Sequence, residues 1–227
     1  MIKSVADSLN KMVRILTFRA NHTDYVSLNS RDLAVGLFFT WLAGMGRYWD
    51  SPEAEFVQKL GLGSVVYIFV LGALIWPILR SLAGKDSKYI HVVTFVSLTS
   101  APAIIYAIPV ERYAELSTAS QANAWFLLAV ASYRVAMLIR YVYVFGRLKA
   151  LPTFVATFLP LTFIVLILTL LNLEKAVFEI MGGSMRHTAN DFAYVVLLMI
   201  TTVSAAAFIP LLLIFVYFVF RGKPLRQ

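Results

Sequence analysis

Apolar runs separated by short polar gaps dominate the chain, and six of them read as membrane spans: residues 33–49, 63–82, 89–109, 124–145, 151–173 and 194–220. A span needs about 20 predominantly apolar residues to cross a hydrocarbon core about 30 Å thick. The first run is the shortest and follows directly on Arg31 and Asp32. Ahead of it, Ile2, Val5, Leu9, Met12, Val13 and Leu16 recur at helical spacing, with Lys3, Asp7, Lys11 and Arg14 on the other face. That spacing predicts an amphipathic helix over 2–18, lying in the membrane interface. Asn21 to Asp24 and Ser27 to Ser30 are turn and capping residues, with Ser30 placed to cap the first span. The fold class is therefore all-α, a polytopic membrane bundle of about six helices plus an N-terminal interfacial helix. Its parts are an N-terminal segment 1–30, a bundle 31–220 and a basic tail 221–227.

Composition agrees with this pattern: 60% of residues are hydrophobic, 14% are charged and the mean hydropathy is +0.77. No soluble core of 227 residues accounts for such values. Lys and Arg alternate between the two sides. Fourteen fall on the side of the N-terminal segment, the 83–88 gap, the 146–150 gap and the tail, counting Arg140 as reaching there, against Asp7, Asp24, Asp32 and Asp86. The other side holds Arg47, Lys59, Arg112, Lys175 and Arg186 against eight acids. By the positive-inside rule both termini are cytoplasmic, in a bacterial inner or plasma membrane. The pI of 9.8 is then mainly a topology signal and not a sign of nucleic-acid binding. The basic face would attract anionic lipid headgroups. The N-terminal segment has no apolar signal-peptide region, and the chain has no cysteine.

Arg134 is the most informative residue inside the spans, because a guanidinium at that depth needs an internal partner or a polar cavity. Tyr141 shares its helical face, while Tyr133, Met137 and Arg140 follow an adjacent stripe, so Arg134, Tyr133, Arg140 and Tyr141 are candidates for binding a lipid phosphate or a carboxylate. The alternative is a structural pairing of Arg134 with neighbouring helices. Gly36, Thr40 and Gly44 form a small-residue stripe suited to helix packing. Arg47 and Asp50 stand close enough to pair at the outer end of the first run. Pro102, after Ser97, Thr99 and Ser100, marks a kink with freed carbonyls. His22, His91 and His187 are too dispersed for one metal site, and no hydrolase or nucleotide-binding motif is present, so neither metal nor cofactor is expected.

The stretch Ile75-Trp76-Pro77 through Leu82-Ala83-Gly84-Lys85-Asp86-Ser87-Lys88-Tyr89, followed by Ser97 to Pro102 and Ile108-Pro109, resembles the central hairpin of the Yip1-type membrane proteins. The resemblance implies a non-enzymatic protein that works through partners or lipids in trafficking or membrane organisation. That group usually has five spans, and Arg134 has no counterpart in it. Three functional readings follow. The leading one is a non-catalytic subunit or scaffold that binds membrane lipids and a membrane-protein partner or a second copy, through the Gly36/Thr40/Gly44 stripe and the basic loops. The second is a small transporter or lipid flippase with Arg134 in a polar cavity. The third, a lipid-modifying enzyme, requires Arg47, Asp50, Arg112 and His187 to converge.

Overall fold

A computed structural model describes residues 2–49, 56–84, 87–171, 173 and 192–221. In chain order the α-helices are α1 (Ile2–Leu16), α2 (His22–Val26), α3 (Ser30–Gly46), α4 (Phe56–Lys59), α5 (Leu62–Ala83), α6 (Tyr89–Leu98), α7 (Leu116–Gly146), α8 (Ala150–Leu170) and α9 (Phe192–Arg221). Two 3-10 turns, Ala101–Ala107 and Val110–Arg112, lie between α6 and α7. No strand occurs among the described residues.

Five stretches are long and apolar enough to cross a membrane: Leu62–Ala83, Tyr89–Ala107, Gln121–Gly146, Ala150–Leu170 and Val195–Phe220. The sequence pattern counts six, and α3 is the difference. Its 17 residues span about 25 Å at 1.5 Å per residue, and its first turn carries Arg31 and Asp32. It still runs the length of α6 and the following 3-10 turn, because Gly36 lies against Ser97 and Gly46 against Ala107.

The outward faces of these helices are apolar. Val66, Val70, Leu128, Phe154, Leu198, Val203, Leu213 and Phe220 are all exposed, whereas Thr94, Ser97, Thr99, Ser100, Thr153 and Thr157 are buried. Hydrocarbon outside and hydroxyls inside is the distribution that a lipid solvent favours.

Pro102 explains the shape of the third of these stretches. It has no amide N–H to donate to Leu98 O, and here α6 ends at Leu98 and the chain tightens to 3-10 geometry from Ala101. Hydroxyls then take up carbonyls around the break. Ser97 Oγ donates to Thr94 O (2.8 Å), Thr99 Oγ1 to Val96 O (3.0 Å) and Ser100 Oγ to Val96 O (3.2 Å). Pro77, Pro160 and Pro210 lie inside α5, α8 and α9, which continue through them.

The N-terminal segment straps one end of the bundle. On α1, Met12 and Ile15 are buried and Leu9 and Leu16 pack on the core, while Val5 and Val13 stay exposed, so the apolar face is divided between protein and surroundings. α2 starts at a capping box made by Asn21 and Asp24. α3 is capped by Asn29 and not by Ser30, because Asp32, three residues on, returns a hydrogen bond to the Asn29 N–H (3.2 Å) and completes a second capping box. The same Asp32 carboxylate is buried between Lys11 Nζ (3.0 Å) and Ser8 Oγ (2.5 Å). Arg14 pairs with Asp24 at 2.9 Å. Across the hairpin, Gly84 at φ 88° ends α5, and Trp76 Nε1 and Tyr89 Oη donate to Ser87 O (2.8 Å) and Phe69 O (3.0 Å).

Candidate functional site

The small residues of α3 turn inward. A Cβ on Gly36 would stand 2.2 Å from Ser97 Oγ and 2.8 Å from Leu98 N, and one on Gly44 would stand 2.7 Å from Ser64 Oγ and 2.8 Å from Gly61 O. Thr40 Oγ1 shares its proton between Gly36 O (2.8 Å) and Ser97 O (3.3 Å). The stripe is a packing face, as its spacing suggests, but it is occupied by α6 and the start of α5 of the same chain. It is therefore not open to a second protein, which corrects the surface assigned to the scaffold reading.

Beyond this seam the helices part around a cavity of about 540 Å³, within the range of about 300–1,000 Å³ common for ligand pockets. Its walls come from α3, α5, α6 with its 3-10 extension, and α7, with Leu161 contributed by α8. Arg134 and Arg47 both line it, and no Asp or Glu does among the described residues. Ser64, Tyr67, Ser100 and Tyr106 share the wall with the two arginines, while Leu71, Ile75, Phe95 and Leu138 line the apolar remainder. Tyr67 and Ala131 are lining residues that are also exposed, so the cavity has an opening between α5 and α7.

Arg134 is half-buried, and among the described residues its hydrogen bonding to protein is confined to Nη2 donating to Ser100 Oγ across 3.5 Å. That distance marks a weak bond, and it leaves most of the guanidinium N–H groups without a protein acceptor. Ser100 is itself a product of the helix break, since its hydroxyl hydrogen is committed to Val96 O and its lone pairs remain for Arg134. The Arg47 guanidinium stacks over the Tyr106 ring at 4.6 Å, and its Nε is buried with no hydrogen-bond partner. Both positive charges act on the Tyr106 hydroxyl. Two guanidinium groups in one cavity, with no carboxylate beside them among the described residues, attract an anion, and Arg is suited to bidentate binding of phosphate or carboxylate.

The other three residues grouped with Arg134 in the sequence go elsewhere. Tyr133 Oη donates to Leu16 O, and Arg140 Nη2 donates to Ala20 O at 3.3 Å, so both tie α7 to the end of α1 and the following turn. Tyr141 is fully buried. It stacks between Phe95 (4.1 Å, 7°) and Phe145 (5.0 Å, 8°) and meets Tyr25 edge-on at 5.1 Å. This aromatic cluster closes the cavity on the side of the N-terminal segment, since Phe95 belongs to both. Tyr25 lies in α2, and burial pushes its phenol up to about 12, with Arg140 opposing and Asp24 reinforcing the shift.

Arg112 lies over Trp49 at 4.9 Å, and Trp49 Nε1 donates to Ala107 O at 2.9 Å, so Arg112 and Arg47 reach the same end of the bundle. Asp50 and His187 lie outside the described residues. The pairing of Arg47 with Asp50, and the four-residue convergence of the enzyme reading, therefore lie outside them as well.

The convergence of Arg47 with Arg134 is what the sequence reading missed. One signal was available: Thr40, Gly44 and Arg47 follow i, i+4, i+7 spacing and share a face, so an inward Thr40 carries Arg47 inward too. No family model matches the chain, and no curated protein and no solved structure is significantly similar to it.

Proposed function

We propose that this protein is an integral membrane protein that takes an anion-headed lipid or similar amphiphile from the bilayer into the cavity between α3, α5, α6 and α7, as a small lipid transporter or flippase. The observation that carries this reading is the placement of Arg134 and Arg47 in one cavity that no carboxylate lines among the described residues. A cation held partly out of water without a counter-charge is costly, and an anionic ligand offsets that cost. The apolar wall from Leu71 to Leu138 suits a chain, and the opening beside Tyr67 and Ala131 lies on helices apolar enough to face lipid.

In this reading α3 crosses the bilayer with the five longer stretches, the α1–α2 strap lies at the cytoplasmic interface and both termini are cytoplasmic. The lysines and arginines of the 83–88 and 146–150 gaps support that orientation. The scaffold reading loses the Gly36/Thr40/Gly44 face as its docking surface and keeps only the basic loops. The Yip1-type resemblance supplies no residue of the cavity's cationic pair.

Native mass spectrometry of the protein purified in mild detergent tests the proposal. Wild type is expected to retain an anionic lipid that Arg134→Gln loses. The same lipids retained in equal amount by both would overturn it.

A further inference from the structure

The charge and donor inventory of the cavity narrows the ligand further, on the reading that it holds an anionic amphiphile. We infer that the headgroup is a phosphate monoester carried on a hydrocarbon chain, bound as its dianion between Arg134 and Arg47.

Charge points to a dianion. Among the described residues the lining contributes two guanidinium groups and no acidic side chain, so one carboxylate or one phosphodiester would leave a positive charge unneutralised in a largely apolar enclosure. A phosphate monoester carries about −1.5 to −2 at neutral pH. Acceptor count points the same way. Among the described residues Arg134 has one weak bond to Ser100, and Arg47 has the neighbouring Tyr48 but no partner at its Nε, so N–H donors on both side chains still need acceptors. A monoester presents three terminal oxygens, a diester or a carboxylate only two. Three oxygens allow a bidentate fork from one guanidinium while a second oxygen pair serves the other.

The surroundings place the head and the chain. Tyr67 and Tyr106 are within electrostatic reach of Arg134, and Ser64 and Ser100 share that wall, so hydroxyls surround the cationic pair. Leu71, Ile75, Phe95 and Leu138 form an apolar stretch of the wall that offers no donor to a second charged group. A free inorganic phosphate would leave that apolar half without a complementary surface. The chain is what fills it.

Titrating the full-length protein in a non-ionic detergent with dodecyl phosphate, dodecyl methyl phosphate, dodecanoate and inorganic phosphate tests the inference. Dodecyl phosphate is expected to bind about tenfold or more tighter than the diester and the carboxylate, and to weaken as pH falls from 8 to 5 through the second phosphate ionisation near 6. Leu138→Trp, which fills the apolar end, is expected to weaken dodecyl phosphate and to spare inorganic phosphate. Arg134→Lys, which keeps the charge and loses the fork, is expected to erase the preference for monoester over diester. Equal binding of monoester and diester would overturn the dianion while leaving an anionic amphiphile standing. Inorganic phosphate binding as tightly as dodecyl phosphate would overturn the chain. No binding of any tailed anion would overturn the underlying function as well.

Discussion

Arg134 reaches Ser100 from α7 across 3.5 Å, at the point where α6 gives way to 3-10 geometry. The contact joins two departures from an ideal apolar bundle: a charge within a membrane-length helix and a helix broken by Pro102. Ser100 can accept from Arg134 because the break commits its hydroxyl hydrogen to Val96 O. Without the ligand, one weak acceptor is a poor return for burying a guanidinium.

Arg134→Met is therefore expected to stabilise the delipidated protein by about 1–4 kcal/mol, because an uncompensated charge is replaced by an apolar side chain of similar reach. Added anionic amphiphile should raise the melting temperature of wild type and leave the variant unmoved. Thermal unfolding in detergent reads both. Destabilisation of the variant with and without amphiphile would mark Arg134 as a structural residue.

Gly36 and Gly63 make a matched pair. Gly36→Ala brings a methyl group to 2.8 Å from the backbone nitrogen of Leu98 and should cost about 1–3 kcal/mol as α3 is pushed off α6. Gly63→Ala meets nothing within 4 Å and should be close to neutral. Denaturation of the two variants side by side checks the α3–α6 seam; equal losses would contradict it.

Asp32→Asn tests the N-terminal strap. The carboxylate caps α3, pairs with Lys11 and accepts from Ser8, so its neutral isostere should cost about 1–3 kcal/mol and free α1. Hydrogen exchange should rise across α1 and α2 and not across α8. An unchanged exchange pattern would show that the strap is held by Met12 and Ile15 alone.

Much of this architecture was legible in the hydropathy pattern, because a bilayer admits few ways to hide a backbone. The kink at Pro102 was legible too, since a missing N–H acts locally. The packing face of Gly36, Thr40 and Gly44 could be read from spacing, but its partner could not, because Ser97 is brought there only by the fold. Tyr133 and Arg140 misled for a related reason. Their stripe next to Arg134 gives no hint that Leu16 O and Ala20 O, far upstream, have come to meet them. Arg47 reads as an outer-end residue beside Asp50, and it does cap the C-terminus of α3; its entry into the cavity is what the sequence does not show. Its place beside Tyr106 depends on how α3 and the 3-10 turn cross.

Tyr25 supplies a pH-dependent check on the strap. Its phenol is raised by burial from 10.0 to about 12, so the neutral form favours folding. That contribution is complete below pH 10 and is lost as pH rises through about 12. Absorbance of tyrosinate should show a component ionising near pH 12 that is smaller by one tyrosine in Tyr25→Phe. Loss of no late component in that variant would contradict the burial of α2.

Topology can be read without background, because the chain has no cysteine. Single cysteines at Arg19 and at Tyr113, which is 84% exposed, should label from opposite sides of the membrane, with a C-terminal tag on the side of Arg19. Labelling of both from one side would contradict α3 as a crossing helix.

The central claim is that an external anion sits between Arg134 and Arg47. A density map of the protein in lipid nanodiscs prepared from native membranes tests it most directly. The account predicts a phosphate-sized peak bridging the two guanidinium groups, with a tail of density running toward Leu138. A carboxylate of the chain itself seated on Arg134 would contradict it.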